Sequence, residues 1–155
     1  MTLRNEINTA LKQAMRDRAT DRLSTLRLIM AAIKDRDIAM RAEGEERTGV
    51  EDSEILSILA KMVKQRQESA RTYEEGGRLD LAERELNEIT IIEEFLPKQL
   101  SDDEVVAAIK AAVAEAGADS IRDMGKVMGA LKAKFTGQMD FGKVGPLVKT
   151  QLSQG

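Results

Sequence analysis

Leu3, Ile7, Leu11 and Met15 recur every fourth residue, the spacing that sets side chains along one stripe of an α-helix. This signature returns down the chain and constrains the fold more than any other feature. Leu23, Leu26, Ile29, Met30, Ile33 and Ile38 form a second stripe, on a helix that begins near Thr20 or Asp21, either of which can cap its N-terminus. Ile55, Leu56, Leu59, Met62, Val63, Ala70 and Tyr73 define a third, long helix from about Ser53 to Glu75, stopped by Gly76-Gly77 as glycine commonly stops helices. Leu86, Ile89, Ile92 and Phe95 define a fourth, capped by Asp80 with Glu83 and closed by Pro97. Between the second and third stripes, Arg41 to Ser53 is polar and punctuated by Gly44 and Gly49. That stretch predicts a mobile connection whose first part can prolong the second helix.

Beyond a boundary at Leu96 to Leu100, Ser101 and Glu104 fit a capping box. The helix they open runs through Val105, Ile109 and Val113 to a stop at Gly117. Ser120 opens the next, which ends at Thr136-Gly137, and a last helix carries Phe141, Val144, Val148 and Leu152. Pro146 lies inside that last stripe and predicts a distorted first turn or a kink. The expected architecture is all-α, with an N-terminal helical domain of about four helices over residues 1–97 and a small C-terminal three-helix bundle over 98–155. Composition agrees. Aromatics are only 3% of the chain, and its apolar positions are filled mainly by helix formers and not by the aromatic and β-branched residues that sheets favour.

Several chemistries are excluded outright. With no cysteine and no histidine, the chain has no disulfide, no Ser-His or Cys-His nucleophile pair, and neither of the side chains that usually hold zinc, iron or copper. No metal or cofactor is expected. No apolar run approaches the ~20 residues of a membrane span, and no signal-peptide core is evident. A cytoplasmic protein without membrane association is expected, and the lack of cysteine is compatible with a reducing cytosol.

The charge is unevenly placed. From Ser120 onward six bases, Arg122, Lys126, Lys132, Lys134, Lys143 and Lys149, face two acids, Asp123 and Asp140, a balance of +4 against a whole-chain net of -3. Within the same tail, the helix over Ser120 to Phe135 contains Gly125 and Gly129, each costing about 1 kcal/mol relative to alanine. On a helical wheel Ile121, Met124, Val127, Met128, Leu131 and Phe135 share one face. The glycines flank it, with Arg122, Lys126 and Ala133 just beyond. Two uses fit such a flat strip. The last helix can pack closely against it, or an RNA phosphate backbone can lie along it, gripped by Lys126 and Arg122.

The segments LRLIMAAIKDRDI, AKMVKQRQES, YEEGGRLDLAERELNEI, EEFLPKQLSDDE and DMGKVMGALKAKFTGQMD occur in that order. Together they resemble the YqeY-like (GatB/YqeY) proteins, which are similar to the C-terminal tail of the B subunit of tRNA-dependent amidotransferases. The resemblance implies an all-helical protein of two subdomains, the second a small bundle like the amidotransferase tail. That tail helps hold tRNA while chemistry happens elsewhere, and related domains serve some glutaminyl-tRNA synthetases as tRNA-binding aids. Family members tend to carry a Lys-Gly-Arg-Ala-Asp-like loop after the glycine helix. Here the loop reads Thr136-Gly137-Gln138-Met139-Asp140, without the two bases, so Lys132 and Lys134 upstream would have to compensate.

Three functions follow as expectations. The first is a tRNA-binding accessory module, held by phosphate and shape contacts because aromatics for base stacking are scarce. Its candidate residues are Arg122, Gly125, Lys126, Gly129, Lys132, Lys134, Lys143 and Lys149, and no DNA binding is expected. The second is a part in a carbon–nitrogen ligase with glutamine as amido-N-donor, by family association. The chain has no P-loop and no histidine base, which argues against catalysis on its own. Acidic pairs at Glu45-Glu46, Glu74-Glu75 and Glu93-Glu94 diverge by about 100° on a helix and suit solvent better than a cation. The third is an adaptor docking on a synthetase or amidotransferase. It draws on Lys61, Lys64, Arg66, Arg71 and Arg78, whose simpler role is pairing with interleaved acids along the helix.

Overall fold

The structure, a computed structural model, describes residues 2–44 and 49–154, and all regular structure among them is helical. The chain falls into two compact units, Met1–Leu96 and Pro97–Gly155.

The first unit holds α1 (Leu3–Arg16), α2 (Thr20–Ala42), α3 (Asp52–Glu75) and α4 (Leu79–Glu93). Ile7, Leu26, Ile29, Ile33, Ile55, Leu59 and Ile92 are fully buried at its centre. Three expected stripe residues lie outside it. Met15 is 52% exposed, and Ile38 and Leu86 also face solvent, while Ala14, Met40 and Ala82 are buried. A strict four-residue repeat drifts about 40° per step on a 3.6-residue helix, so the row from Leu3 has turned about 120° by Met15. Ala14 falls back on the line of Leu3.

α3 and α4 are joined by the expected glycines. The Arg78 amide donates to Tyr73 O at 2.8 Å and the Gly77 amide to Glu74 O at 3.1 Å, with Gly77 in the left-handed region at φ 74°. This pair of bonds satisfies carbonyls that the helix end leaves open. The expected Asp80 cap is not formed. α4 starts one residue before Asp80, which lies in its first turn and accepts from the Arg78 guanidinium. Of the connection expected to be mobile, residues 45–48 lie outside the described residues. Next to them Val50 is buried, and its amide donates to Asp37 Oδ1 at 2.9 Å.

The second unit holds α5 (Asp102–Ala116), a 3₁₀ turn (Ile121–Asp123), α6 (Met124–Phe135) and α7 (Phe141–Gln154). The capping box is present in both directions, with Glu104 N–H donating to Ser101 Oγ and Ser101 N–H to Glu104 Oε1. Ile109, Val127, Leu131, Met139, Val144, Val148 and Leu152 form the core. α7 runs through Pro146 as one helix, without a separate first turn. Gly142 and Pro146 are both exposed, so the carbonyl that the proline cannot serve is open to water.

The loop that departs from the family pattern is built into this unit. Leu100 N–H donates to Gln138 O at 2.9 Å, and Gln138 Nε2 donates to Lys98 O at 3.2 Å. Gln99 Nε2 donates to the carbonyl of Gly137, which sits at φ 80°, and Met139 is buried. Gln138 and Met139 here fasten the segment before α5 to the α6–α7 turn.

Candidate nucleic-acid interface

α6 opens later than its sequence suggests. The Asp119 amide donates to the Asp123 carboxylate at 3.2 Å and the Asp123 amide to Ser120 O at 3.0 Å. These bonds wind residues 121–123 into a 3₁₀ turn. Ile121 therefore leaves the apolar face and is exposed. From Met124 the α-helical period holds. Val127 and Leu131 are buried, and Met124, Met128 and Phe135 pack partly against the core.

At about 100° per residue, Gly125 and Gly129 lie about 40° apart and well over 100° from Leu131. Both are exposed, and a Cβ built at either would meet nothing within 4 Å. Close packing of the last helix on this strip, one of its two expected uses, is therefore not what occurs. α7 brings its own glycine to α6 instead. Gly145 is buried, and a Cβ there would lie 3.8 Å from Met124 Cε. The apolar arc of α6 points α7 toward Met124, and the glycines are left outside.

Lys132 lies about 20° from Gly125 on one edge of the strip, and Ala133 and Lys126 follow Gly129 by about 40° and 60° on the other. All three are exposed. α6 has three lysines and no acid. Neither Lys126 nor Lys132 makes an ion pair with another described residue. The structure thus gathers Gly125, Gly129, Lys126 and Lys132 on one face, bare along its middle and positive at both edges. A phosphate chain lying there could approach the helix backbone more closely than any larger side chain would permit.

The remaining candidates are not gathered with them. Lys134 lies about 140° from Gly129, and its ammonium sits over the Phe135 ring at 5.7 Å. Lys132 and Lys134 also complement the negative end of the helix dipole, a structural use for both. Arg122 is exposed in the 3₁₀ turn, off the wheel of α6. Lys143 and Lys149 are exposed on α7, about 120° apart around its axis.

In the first unit Arg66, from the basic run on α3, pairs with Glu88 of α4 at 2.8 Å, and Arg78, after the turn, pairs locally with Asp80 in the first turn of α4 at 3.2 Å. Glu85 is pushed above the ordinary carboxylate range by burial and by Glu88 beside it. Of the acidic pairs, Glu45-Glu46 lies outside the described residues, and Glu94 pairs with Arg22. The apolar pattern gave no sign of a row of exposed cations on α2, Arg27, Lys34 and Arg41. Its signal was a regular seven-residue spacing.

The sequence model of a family described as Yqey-like protein matches residues 4–152. A Schizosaccharomyces pombe protein described as uncharacterized is 29% identical over 96 residues, 62% of this chain and 73% of that protein. A Clavispora lusitaniae protein named altered inheritance of mitochondria protein 41, mitochondrial, is 34% identical over 105 residues, 66% of this chain and 58% of that protein.

Proposed function

The chain belongs to the YqeY-like protein family, and from that membership we propose that it is an RNA-binding accessory module, with tRNA as its ligand. It holds the RNA by backbone and shape and performs no chemistry of its own. The observation that carries this reading is the uncovered face of α6. Gly125 and Gly129 are open to solvent, at a cost in helix stability that nothing in their own unit offsets, between two exposed lysines. Phosphates neutralised there release counterions, a sequence-independent gain. Phe95, Phe135 and Phe141 pack against the two cores, which leaves little aromatic surface for stacking bases and favours recognition of backbone and shape.

The reading includes two separable domains, 1–97 and 98–155, with the second acting as the amidotransferase tail does. It also includes a tRNA-handling partner, a synthetase or an amidotransferase, and a cytoplasmic setting. Among the described residues no helix is long and apolar enough to cross a membrane. Salt-dependent binding tests the reading. Lys126→Ala and Lys132→Ala should each lower the magnitude of the log K versus log salt slope for total tRNA by about one, as for one lost phosphate contact. The loss should be similar for different tRNAs, and wild type should prefer tRNA over an unrelated RNA duplex. Unchanged slopes in both variants would remove RNA from this face.

A further inference from the structure

The bases of this chain are concentrated at both ends. Residues 1–42 carry nine bases and five acids, a balance of +4 that equals that of the tail from Ser120, while residues 43–119 carry nine bases and twenty acids. The leading stretch folds into α1 and α2. They run antiparallel, since a short turn joins Arg16 to Thr20 and Arg4, at the far end of α1, is bound to Asp37 of α2. That ion pair marks the side on which each helix meets the other. Around α2, Arg41, Lys34 and Arg27 lie about 40°, 60° and 80° from Asp37, turning away from the core toward solvent. Around α1, Lys12 and Arg16 lie about 80° and 120° from Arg4, again on the solvent side. All five are exposed. Measured along the helices from the Arg4–Asp37 pair, Lys34, Lys12, Arg27 and Arg16 follow at about 4.5, 12, 15 and 18 Å, alternating between α2 and α1. None of these four makes an ion pair with another described residue. The acids of the two helices point elsewhere. Asp37 is held by Arg4. Glu6 and Asp17 lie about 160° and 140° round from Arg4, and Asp21 and Asp35 both about 160° round from Asp37.

We propose that this outer face of α1 and α2 is a second phosphate-binding surface for RNA, carried by the first unit. The inference rests on the RNA-binding reading above and extends it beyond α6. Spread arginines and lysines with amide donors among them, here Asn5 and Asn8 on the same side of α1, are the means by which proteins position a nucleic-acid backbone without reading its bases. Each phosphate they neutralise releases counterions. Other occupants fit less well. A protein partner asks for an apolar or aromatic anchor at the centre of the patch. Here the exposed Met15 and Ile38 stand toward its two ends, about 18 Å apart along the helices. A lipid surface takes up the apolar side of a helix, and the apolar sides of α1 and α2 are in the core.

The test titrates total tRNA with the full chain over a range of salt concentrations. Lys12→Ala/Arg16→Ala and Arg27→Ala/Lys34→Ala should each lower the magnitude of the log K versus log salt slope by about two, as for two lost phosphate contacts. Adding Lys126→Ala to either pair should lower it by about one more. Lys61→Ala/Arg71→Ala removes the same charge from exposed sites in the acidic middle of the chain and should leave the slope unchanged. Circular dichroism of each variant confirms that the fold is kept. Wild-type slopes in both pairs, with Lys126→Ala still lowering its own, would overturn this surface and leave the α6 reading standing. The reverse result would keep this surface and remove RNA from α6. An equal loss in the Lys61→Ala/Arg71→Ala control would reduce the effect to net charge and overturn the surface. So would variants that keep tRNA binding but lose binding to phosphatidylserine-containing vesicles or to polyglutamate. A wild-type chain that binds no tRNA would overturn both.

Discussion

Asp37 ties three segments of the first unit together. Its carboxylate accepts from Arg4 Nη1 at 3.1 Å and Nη2 at 2.9 Å, joining α1 to α2, and from the Val50 amide at 2.9 Å, which fixes the chain entering α3. Gly49 is small because this pair lies against it. A Cβ there would come within 2.9 Å of Arg4 Nη2. The Arg4 guanidinium beside Asp37, helped by the Val50 amide, holds its carboxyl below the ordinary aspartate value of 3.8. A folded pKa below the unfolded one means that the unfolded chain binds more protons between the two values. Stability from this group is therefore full above about pH 4 to 5 and is lost as pH falls through the folded value. Both side chains are partly exposed, which discounts the pair. Asp37→Asn should cost roughly 1 to 2 kcal/mol at neutral pH. Urea unfolding of wild type and Asp37→Asn from pH 7 to pH 2 should show a constant gap down to about pH 5 that closes in stronger acid. A gap that persists unchanged at pH 2 would contradict the assignment. Gly49→Ala should loosen the same contact and lower the unfolding midpoint.

At the scale of the helix, α6 makes the sharper prediction. Since a Cβ at Gly125 or Gly129 meets nothing, Gly125→Ala and Gly129→Ala should each raise stability by about 0.5 to 1 kcal/mol, through helix propensity and reduced unfolded-chain entropy. Thermal melting of the full chain checks this, and a fall in melting temperature would mean that the strip is packed after all. How legible these helices were in the sequence depended on what each signal encodes. Periodicity located α1 to α7 and most core residues, and the Ser101–Glu104 box and Gly76-Gly77 marked ends by local chemistry that needs no tertiary context. Met15 was misplaced because a four-residue row slips off the helical period, Leu86 because a three-residue row slips off it the other way, and Ile38 because five residues beyond Ile33 turn it about 140° from that side chain; the small Ala14 and Ala82 that replace two of them carry little apolar signal. The 3₁₀ turn at Ile121 was hidden because it depends on a side-chain bond from the Asp119 amide to Asp123. The wheel placed the glycines on a flank of α6 but could not say what lies opposite, which only the approach of Gly145 to Met124 decides.

For the whole molecule, the division at Leu96 and Pro97, with a separate apolar core in each unit, predicts that residues 1–96 and 97–155 fold when expressed apart. Their far-ultraviolet circular dichroism should sum to that of the full chain, and each should melt cooperatively. A fragment lacking helix on its own would contradict this. As an accessory module the full chain should transfer no amide nitrogen to charged tRNA by itself, though it can stimulate an enzyme that does. Assays with glutamine, ATP and misacylated tRNA check this, and turnover by the isolated protein would overturn it. The central claim is that the bare face of α6 is kept for an RNA backbone rather than for the fold. Gly129→Leu tests it most directly, because leucine favours the helix and a Cβ at this position meets nothing within 4 Å, yet its side chain would stand where the phosphates are to lie. Its melting temperature should match or exceed that of wild type, while tRNA affinity falls about tenfold, or about 1.4 kcal/mol. Undiminished tRNA affinity in a folded Gly129→Leu protein would contradict the account.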